Sequence, residues 1–545
     1  MKNKTRFLTA ILILAMCQML FSSCVKIESD TTTAAVEKTT TAVKEDNTPD
    51  YLNLTGLPIV KQPITITMMA DKDPENWNND TLVVKEMEKR TGIHVEWNSV
   101  AHSVLGEKKN VALASGDYPD AFYSVILDED INMYGPQGMF IKLNDLIDEY
   151  APELKAIFKE EPQVKKSQTA PEGSIYAMPY IIQDPPSRVT SLFFINHDWL
   201  QKLNLSEPKN TDELYAVLKA FLENDPNGNG QKDEVPMTST KISRVYGTFK
   251  GMWGFGTGAC RRIDNVDVDT KGNLRFMPTD PKYKEMLEYI AKLYKDGLLD
   301  QEIYTMKEGP MLLAKMDQNK TGVVINGSLP DTRFYGPYKG ISAAIKGPYG
   351  DQMHIEVNPL VDDVGAFVIT DKNKYPEATT RWADYLYSEE GAELLHKGVK
   401  GITFELDQNG NYVWTDLIKN NPNGLTLADA MGFHGIGGVG PSILRSSMVE
   451  RDKSENEILR QAKKNMVPYL PREVWTEFMF KPEETDELTG VAADIDTYVK
   501  EKAAEFITGK TPFSEWDNYV ETIEKMGLDT YMKIYEAAYE RYKKS

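Results

Sequence analysis

Oxygen-bearing side chains alternate in the segment Asp225-Pro-Asn227-Gly-Asn229-Gly230-Gln231-Lys-Asp233-Glu234. Carboxylate or amide oxygens at the first, third and fifth places, with glycine sixth for the tight turn, match the opening of an EF-hand calcium loop. The seventh place of such a loop offers a backbone carbonyl, here that of Gln231. The carboxylate of the twelfth place is missing, because Pro236 stands there. Asp233 and Glu234 can close the shell instead, supplying a hard cation with the six or seven oxygens it takes. No partner of an EF-hand pair is evident, so a structural Ca²⁺ is expected rather than a sensor's ion. The alternative is a solvated Asn/Gly turn.

Other chemistry-bearing patterns are weaker. Gly435-Ile-Gly437-Gly438-Val-Gly440 imitates a dinucleotide fingerprint, yet no clear strand precedes it and no helix opens after it. A loop near a cleft is expected there. None of the six histidines pairs with another at zinc spacing, which speaks against a catalytic metal. No G-x-S-x-G occurs, and Cys260 has no motif around it. A carboxylate pair for glycoside hydrolysis is neither visible nor excluded among 82 acidic residues.

The chain starts with a basic stretch, Lys2, Lys4 and Arg6, followed by an apolar run from Phe7 to Phe21. About fifteen apolar residues suit a secretory leader and fall short of the roughly 20 a membrane helix needs. Ser22, Ser23 and Cys24 then resemble the end of a bacterial lipobox, with Phe21 in place of the usual Leu. A leader over 1–23 and a lipid on Cys24 follow from that resemblance. Residues 24–57 read as a flexible linker: Thr31–Thr33 and Thr39–Thr41 are low-complexity runs, and no aromatic lies between Phe21 and Tyr51.

The remaining body of about 490 residues exceeds one simple core, so two or more lobes are expected. With 41% hydrophobic and 10% aromatic residues it can bury a large interior. A net charge of −20 argues against nucleic acid or an anionic membrane surface as partner. Strand and helix patterns alternate. Ile64 to Met69 reads as a strand, Asp71 to Asn79 as a loop, Asp80 as the cap of a helix to Arg90 stopped by Gly92, and His94 to Trp97 as the next strand. Asn210 and Glu213 have capping-box spacing ahead of Leu214, Val217, Leu218 and Phe221. Helical spacing returns at Ala492–Ile507 and Leu528–Tyr542. The class is α/β with a helical C-terminal part.

Four segments then occur in a telling order: Ser115-Gly-Asp-Tyr-Pro-Asp120, Gly138-Met-Phe-Ile-Lys-Leu-Asn-Asp-Leu-Ile147, Gly173-Ser-Ile-Tyr-Ala-Met-Pro179 and Phe194-Ile-Asn-His-Asp-Trp-Leu200. Together they resemble the extracellular solute-binding proteins of carbohydrate ABC importers, in the large lipoprotein branch akin to alginate-fragment-binding proteins. The resemblance implies a two-lobe fold of the periplasmic-binding type, closing on an oligosaccharide and delivering it to permease subunits. It also implies calcium at DPNGNG-type loops. The expected divisions are lobe 1 at 58–183, lobe 2 at 184–362, a return to lobe 1 at 363–410 and a helical part of lobe 2 at 411–545. A monomer held on the outer face of the cell membrane is expected, with a glycan-degrading enzyme or a peptide or signal receptor as alternatives.

A pyranose offers an apolar face to aromatic rings and hydroxyls to Asp, Asn and Arg. Ligands of open α/β sheets sit beyond the carboxyl ends of strands. The loop after the first strand therefore nominates Asp71 and Trp77. Likeness to maltose-type binders nominates Tyr123, the hinge Arg188, and the second lobe Trp253. Asn326 follows the strand-like Gly322 to Ile325.

Overall fold

The computed structural model describes residues 49–544 apart from 257, 260–264, 307–308, 438 and 477. The leader, Cys24 and most of the linker lie outside the described residues, as does Cys260. The principal strands are β1 (Ile64–Asp71), β2 (Ile93–Val100), β3 (Ala121–Tyr123), β4 (Ala177–Ile182), β5 (Leu192–Asn196), β6 (Val235–Ser239), β7 (Thr321–Asn326), β8 (Tyr338–Gly340), β9 (Val361–Ile369) and β10 (Ser442–Leu444). They form a six-stranded sheet in the order β10-β4-β9-β3-β1-β2 and a four-stranded sheet in the order β8-β5-β7-β6. In the first sheet β9 runs against both neighbours, while β1 is parallel to β2 and β3, and β10 to β4. β4 and β5 are buried along their whole length, which is why they read as unbroken apolar runs.

Each sheet anchors its own core. Met68, Phe122, Phe140, Phe367 and Trp382 belong to the first, and Phe194, Leu218, Phe249, Val324 and Phe506 to the second. The two-lobe α/β fold is the one that forms. The chain leaves the first core after β4, and the strand pair Val189↔Val357 flanks its return into β9.

The third crossing comes later than the sequence suggested. It was expected near 400–415, with 411–545 wholly in the second lobe. Instead Phe404, Tyr412, Trp414 and Ile418 are buried in the first core, and β10 extends the first sheet beside β4. Only after Met448 does the chain pass to the second core, where Ala462 and Met466 pack. The physical reason is edge completion: the exposed edge of the all-apolar β4 is covered by β10, whose three residues are too few to show a pattern in sequence.

Helix termini follow local chemistry with one exception. Asn210 Oδ1 accepts from Glu213 N at 2.9 Å, so the N-cap forms, but Glu213 Oε2 accepts from Lys209 N at 2.8 Å and not from Asn210 N, so the reciprocal half of the expected capping box is shifted by one residue. The first helix spans Leu82–Thr91 with Thr81, not Asp80, at its N-cap. Asp80 is exposed and pairs with Lys85 instead. Gly92 ends that helix at φ 75, and a Cβ there would meet Pro58 and Val60 at 3.2 Å. The C-terminal helix Pro482–Thr508 buries Ile495, Val499, Ala503, Phe506 and Ile507 as its spacing requires. Among the described residues no helix is long and apolar enough to cross a membrane.

Candidate functional site

β1 and β3 lie side by side with Ala70 in register with Tyr123, so residues at their carboxyl ends gather at one place. Asp71 and Lys72 close β1, and Trp77 follows on the loop. Trp77 stacks on Tyr123 at 5.7 Å and meets Trp97 edge-on at 5.3 Å. Both rings are enclosed: Trp77 is 2% exposed and Tyr123 0%. Trp253 is likewise in the second core, 5.4 Å from Tyr289. The stacking faces expected of these three residues are therefore turned to neighbouring rings. Their burial saves apolar area that an open ring would leave in water. Asp71 Oδ2 is 2.9 Å from His102 Nδ1.

Arg188 and Asn326 lie on separate elements, the turn after the first crossing and the end of β7. Arg188 ends the helical turn Pro185–Arg188, which Asp184 caps by accepting from Ser187 N at 2.9 Å. Burial lowers the Arg188 guanidinium from its usual range, and its Nε has no hydrogen-bond partner. Asn326 closes β7, accepting from Thr240 Oγ1 at 3.2 Å and donating to the Ser328 carbonyl at 2.9 Å. A Cβ added at Gly327 would stand 2.8 Å from the Thr190 carbonyl, to which Arg244 Nη1 donates at 2.9 Å. So Asn326, Thr190 and Arg244 share one edge, two residues along the chain from Arg188.

Sequence reasoning did not single out Lys72 and Gly440, which the fold sets against the Trp77 and Tyr123 rings. Lys72 had a signal, its place directly after the first strand. The backbone of Gly440 passes so close to Tyr123 that a Cβ would overlap the phenol oxygen at 2.0 Å, which only the folded chain could show. The glycine-rich loop thus serves close approach, not phosphate.

The 225–234 loop lies apart, between the helix Thr211–Glu223 and β6. Asp225 Oδ1 accepts from Gly228 N at 2.9 Å and Asn229 N at 3.1 Å, while Oδ2 accepts from Gly230 N at 3.0 Å. Asn227 Oδ1 accepts from Asn229 N, and Asn229 Oδ1 from Gln231 N, at 2.9 and 2.7 Å. Asp233 accepts from both amide side chains and pairs with Lys320 at 3.2 Å. Glu234 Oε1 is buried without a partner. Burial first, then Asp225 and Asp233, push its carboxyl upward. Among the described residues no three His, Cys, Asp or Glu side chains already stand together as a metal cage. The residue types are nonetheless those a hard cation takes, and the buried Glu234 Oε1 without a partner is the one observation that favours a cation there.

The sequence profile of the bacterial extracellular solute-binding proteins matches residues 70–393. The chain belongs to this family. That stretch runs from the end of β1, through the second sheet, to the helix Glu389–Lys397. The fructooligosaccharide ABC transporter substrate-binding protein FusA of Streptococcus pneumoniae serotype 4 is 30% identical, over 99% of this chain and 99% of that one. Lipoprotein LipO of Bacillus subtilis is 25% identical over 88% of this chain and 93% of its own. The solved structure of the FusA EF-hand mutant in complex with fructo-nystose gives a TM-score of 0.70 at 29% identity, covering 88% of this chain and 99% of that one. Alginate-binding protein AlgQ2 without calcium ion gives 0.69 at 25% identity, covering 89% and 100%.

Proposed function

We propose that this solute-binding protein captures an oligosaccharide outside the cell and delivers it to the permease of an ABC importer, without chemistry on the sugar. The observation that carries the reading is similarity along the full length of FusA, whose name states a fructooligosaccharide ligand. The placement of Asp71 at the carboxyl end of β1, and of Arg188 at the first crossing with its Nε unpartnered, supports a ligand held between the β1–β3 ends and the second lobe, with Trp77 and Tyr123 enclosed in the first core and not stacking on it. Sugar hydroxyls there would take the polar groups, and lobe closure would exclude water.

Two further assignments belong to this proposal. A lipid on Cys24 anchors the chain to the outer membrane face, supported by the leader pattern and by similarity to LipO. One structural Ca²⁺ binds at Asp225, Asn227, Asn229, the Gln231 carbonyl, Asp233 and Glu234, tying the loop to β6 and supplying no reaction chemistry.

A thermal-shift screen over microbial and plant oligosaccharides, paired with an assay for released sugars, tests the function. Stabilisation by one glycan class with no product supports it. Stabilisation by peptides alone favours a receptor, and steady product release favours an enzyme. For the anchor, a Cys24→Ala strain should shed the protein or accumulate its precursor; a mature, detergent-extractable protein in that strain refutes lipidation.

A further inference from the structure

Two asparagines of the 225–234 loop are each followed by glycine, as Asn227-Gly228 and Asn229-Gly230. In that order the side chain can cyclise onto the backbone. The glycine amide nitrogen attacks the asparagine side-chain carbonyl carbon, and glycine has no Cβ to obstruct the approach. Water reaches both places: Gly228, Asn229 and Gly230 are exposed and Asn227 is half-buried.

One side chain holds both attacking nitrogens. Gly228 N donates to Asp225 Oδ1 at 2.9 Å, and Gly230 N to Asp225 Oδ2 at 3.0 Å. An amide bonded to a carboxylate is committed elsewhere, and the negative charge beside it opposes the loss of its proton that the attack requires. Gly228 N has a second acceptor, the Asp225 carbonyl, at 3.2 Å. Among the described residues Gly230 N has the carboxylate alone. Two other turns of this kind are held differently. Gly410 N and Gly424 N, which follow Asn409 and Asn423, donate to the backbone carbonyls of Asp407 and Asn421 at 3.0 and 2.9 Å. Those turns need no side chain to restrain them.

We propose that Asn227 and Asn229 are deamidation sites kept latent by the Asp225 carboxylate. Glycine N bonds to asparagine Cγ, the Cγ–Nδ2 bond breaks, and ammonia leaves carrying the glycine amide proton. Water then opens the succinimide at either carbonyl and leaves aspartate or isoaspartate. No other reactant enters. Each event adds a negative charge to a loop in which the Glu234 carboxyl already feels Asp225 and Asp233. The isoaspartate product also lengthens the backbone by a methylene. Asp225 therefore sets the chemical lifetime of the loop as well as its shape.

Peptide mapping by mass spectrometry tests this on the full chain, aged at mildly alkaline pH with calcium and, in parallel, with a chelator. In the wild type, Asn227 and Asn229 should age no faster than Asn409 and Asn423. In Asp225→Ala, Asn229 should deamidate roughly tenfold faster or more, the factor that one hydrogen bond to a charged group holds back. Asn227 should gain less, because Gly228 N keeps the backbone carbonyl of residue 225. Asn409 and Asn423 should not change. Asp225→Asn keeps the size but offers one acceptor oxygen, so one of the two sites should stay protected. Lys320→Met removes the partner of Asp233 at 3.2 Å without touching Asp225, and should leave both lifetimes as they were. Ageing of wild-type Asn229 as fast as in Asp225→Ala overturns the proposal. Slower ageing in Asp225→Ala overturns it too, since the carboxylate would then assist the attack. An acceleration in Lys320→Met equal to that in Asp225→Ala would show that looseness, not the carboxylate, sets the rate, and would also overturn it.

Discussion

Glu234 carries the strongest constraint on the 225–234 loop, because its buried Oε1 has no hydrogen-bond partner and its carboxyl feels the charges of Asp225 and Asp233. A divalent cation relieves the repulsion and fills the vacant coordination at once. After treatment with a chelator, added calcium should raise the unfolding free energy by about 2.7 kcal/mol at a hundredfold excess over Kd. Asp225→Ala should remove that gain while the protein stays folded, since its carboxylate organises three backbone amides of the loop. Glu234→Gln should weaken the calcium response by removing one charge at constant shape. Scanning calorimetry with and without calcium checks both, and an unresponsive wild type would falsify the site.

Among the elements, the connection after β5 shows how a surface carboxylate can hold a loop. Burial alone would raise the Glu207 carboxyl, but His197 and the amide and hydroxyl of Ser342 outweigh it and hold it at about 2. Ser342 N and Oγ donate to Glu207 at 2.9 and 2.8 Å. Because the folded pKa lies below the unfolded one, this stabilisation is present above about pH 4.5 and is lost as the pH falls toward 2. Glu207→Gln should therefore cost on the order of 1–2 kcal/mol at pH 7, after allowance for partial exposure, and almost nothing near pH 2. Urea titrations at the two pH values measure it; an equal loss at both would show that packing, not charge, does the holding. Next to this loop, Asn210→Ala should cost about 1 kcal/mol by removing the N-cap of Thr211–Glu223.

For the whole molecule, the decisive contact joins the first and third crossings. Arg460 grips Asp184 through two bonds of 2.6 and 2.8 Å, and both side chains are nearly enclosed. Asp184 also caps the turn that carries Arg188, so the pair fixes that turn as well. Arg460→Met leaves Asp184 buried without its cation and should cost about 3 kcal/mol or more. Pairing it with Asp184→Asn should recover part of that loss, because the stranded charge is gone. Denaturant curves for the two single variants and the double variant test this. Additive losses would show that the two residues act independently.

How much of this was legible in the sequence depended on the range of the interaction. Local rules carried far: the strand at Ile64, the N-cap at Asn210, the helical stripe ending at Gly509 and the order of oxygens in the 225–234 loop all follow from neighbours within a few residues. The family resemblance reached further, to the two-lobe fold. What only the tertiary structure decided were pairings between distant segments. β10 joins β4 from 260 residues away by their register Ser442↔Tyr180, which moved the third crossing, and no periodicity in three residues announces it. The burial of Trp77, Tyr123 and Trp253 was equally invisible, since an aromatic residue that stacks on a sugar and one that fills a core have the same side chain. Lys72 became distinctive only when the folded chain set its ammonium over the rings of Trp77 and Tyr123, because the surroundings of a charge are a property of the folded chain and not of the residue.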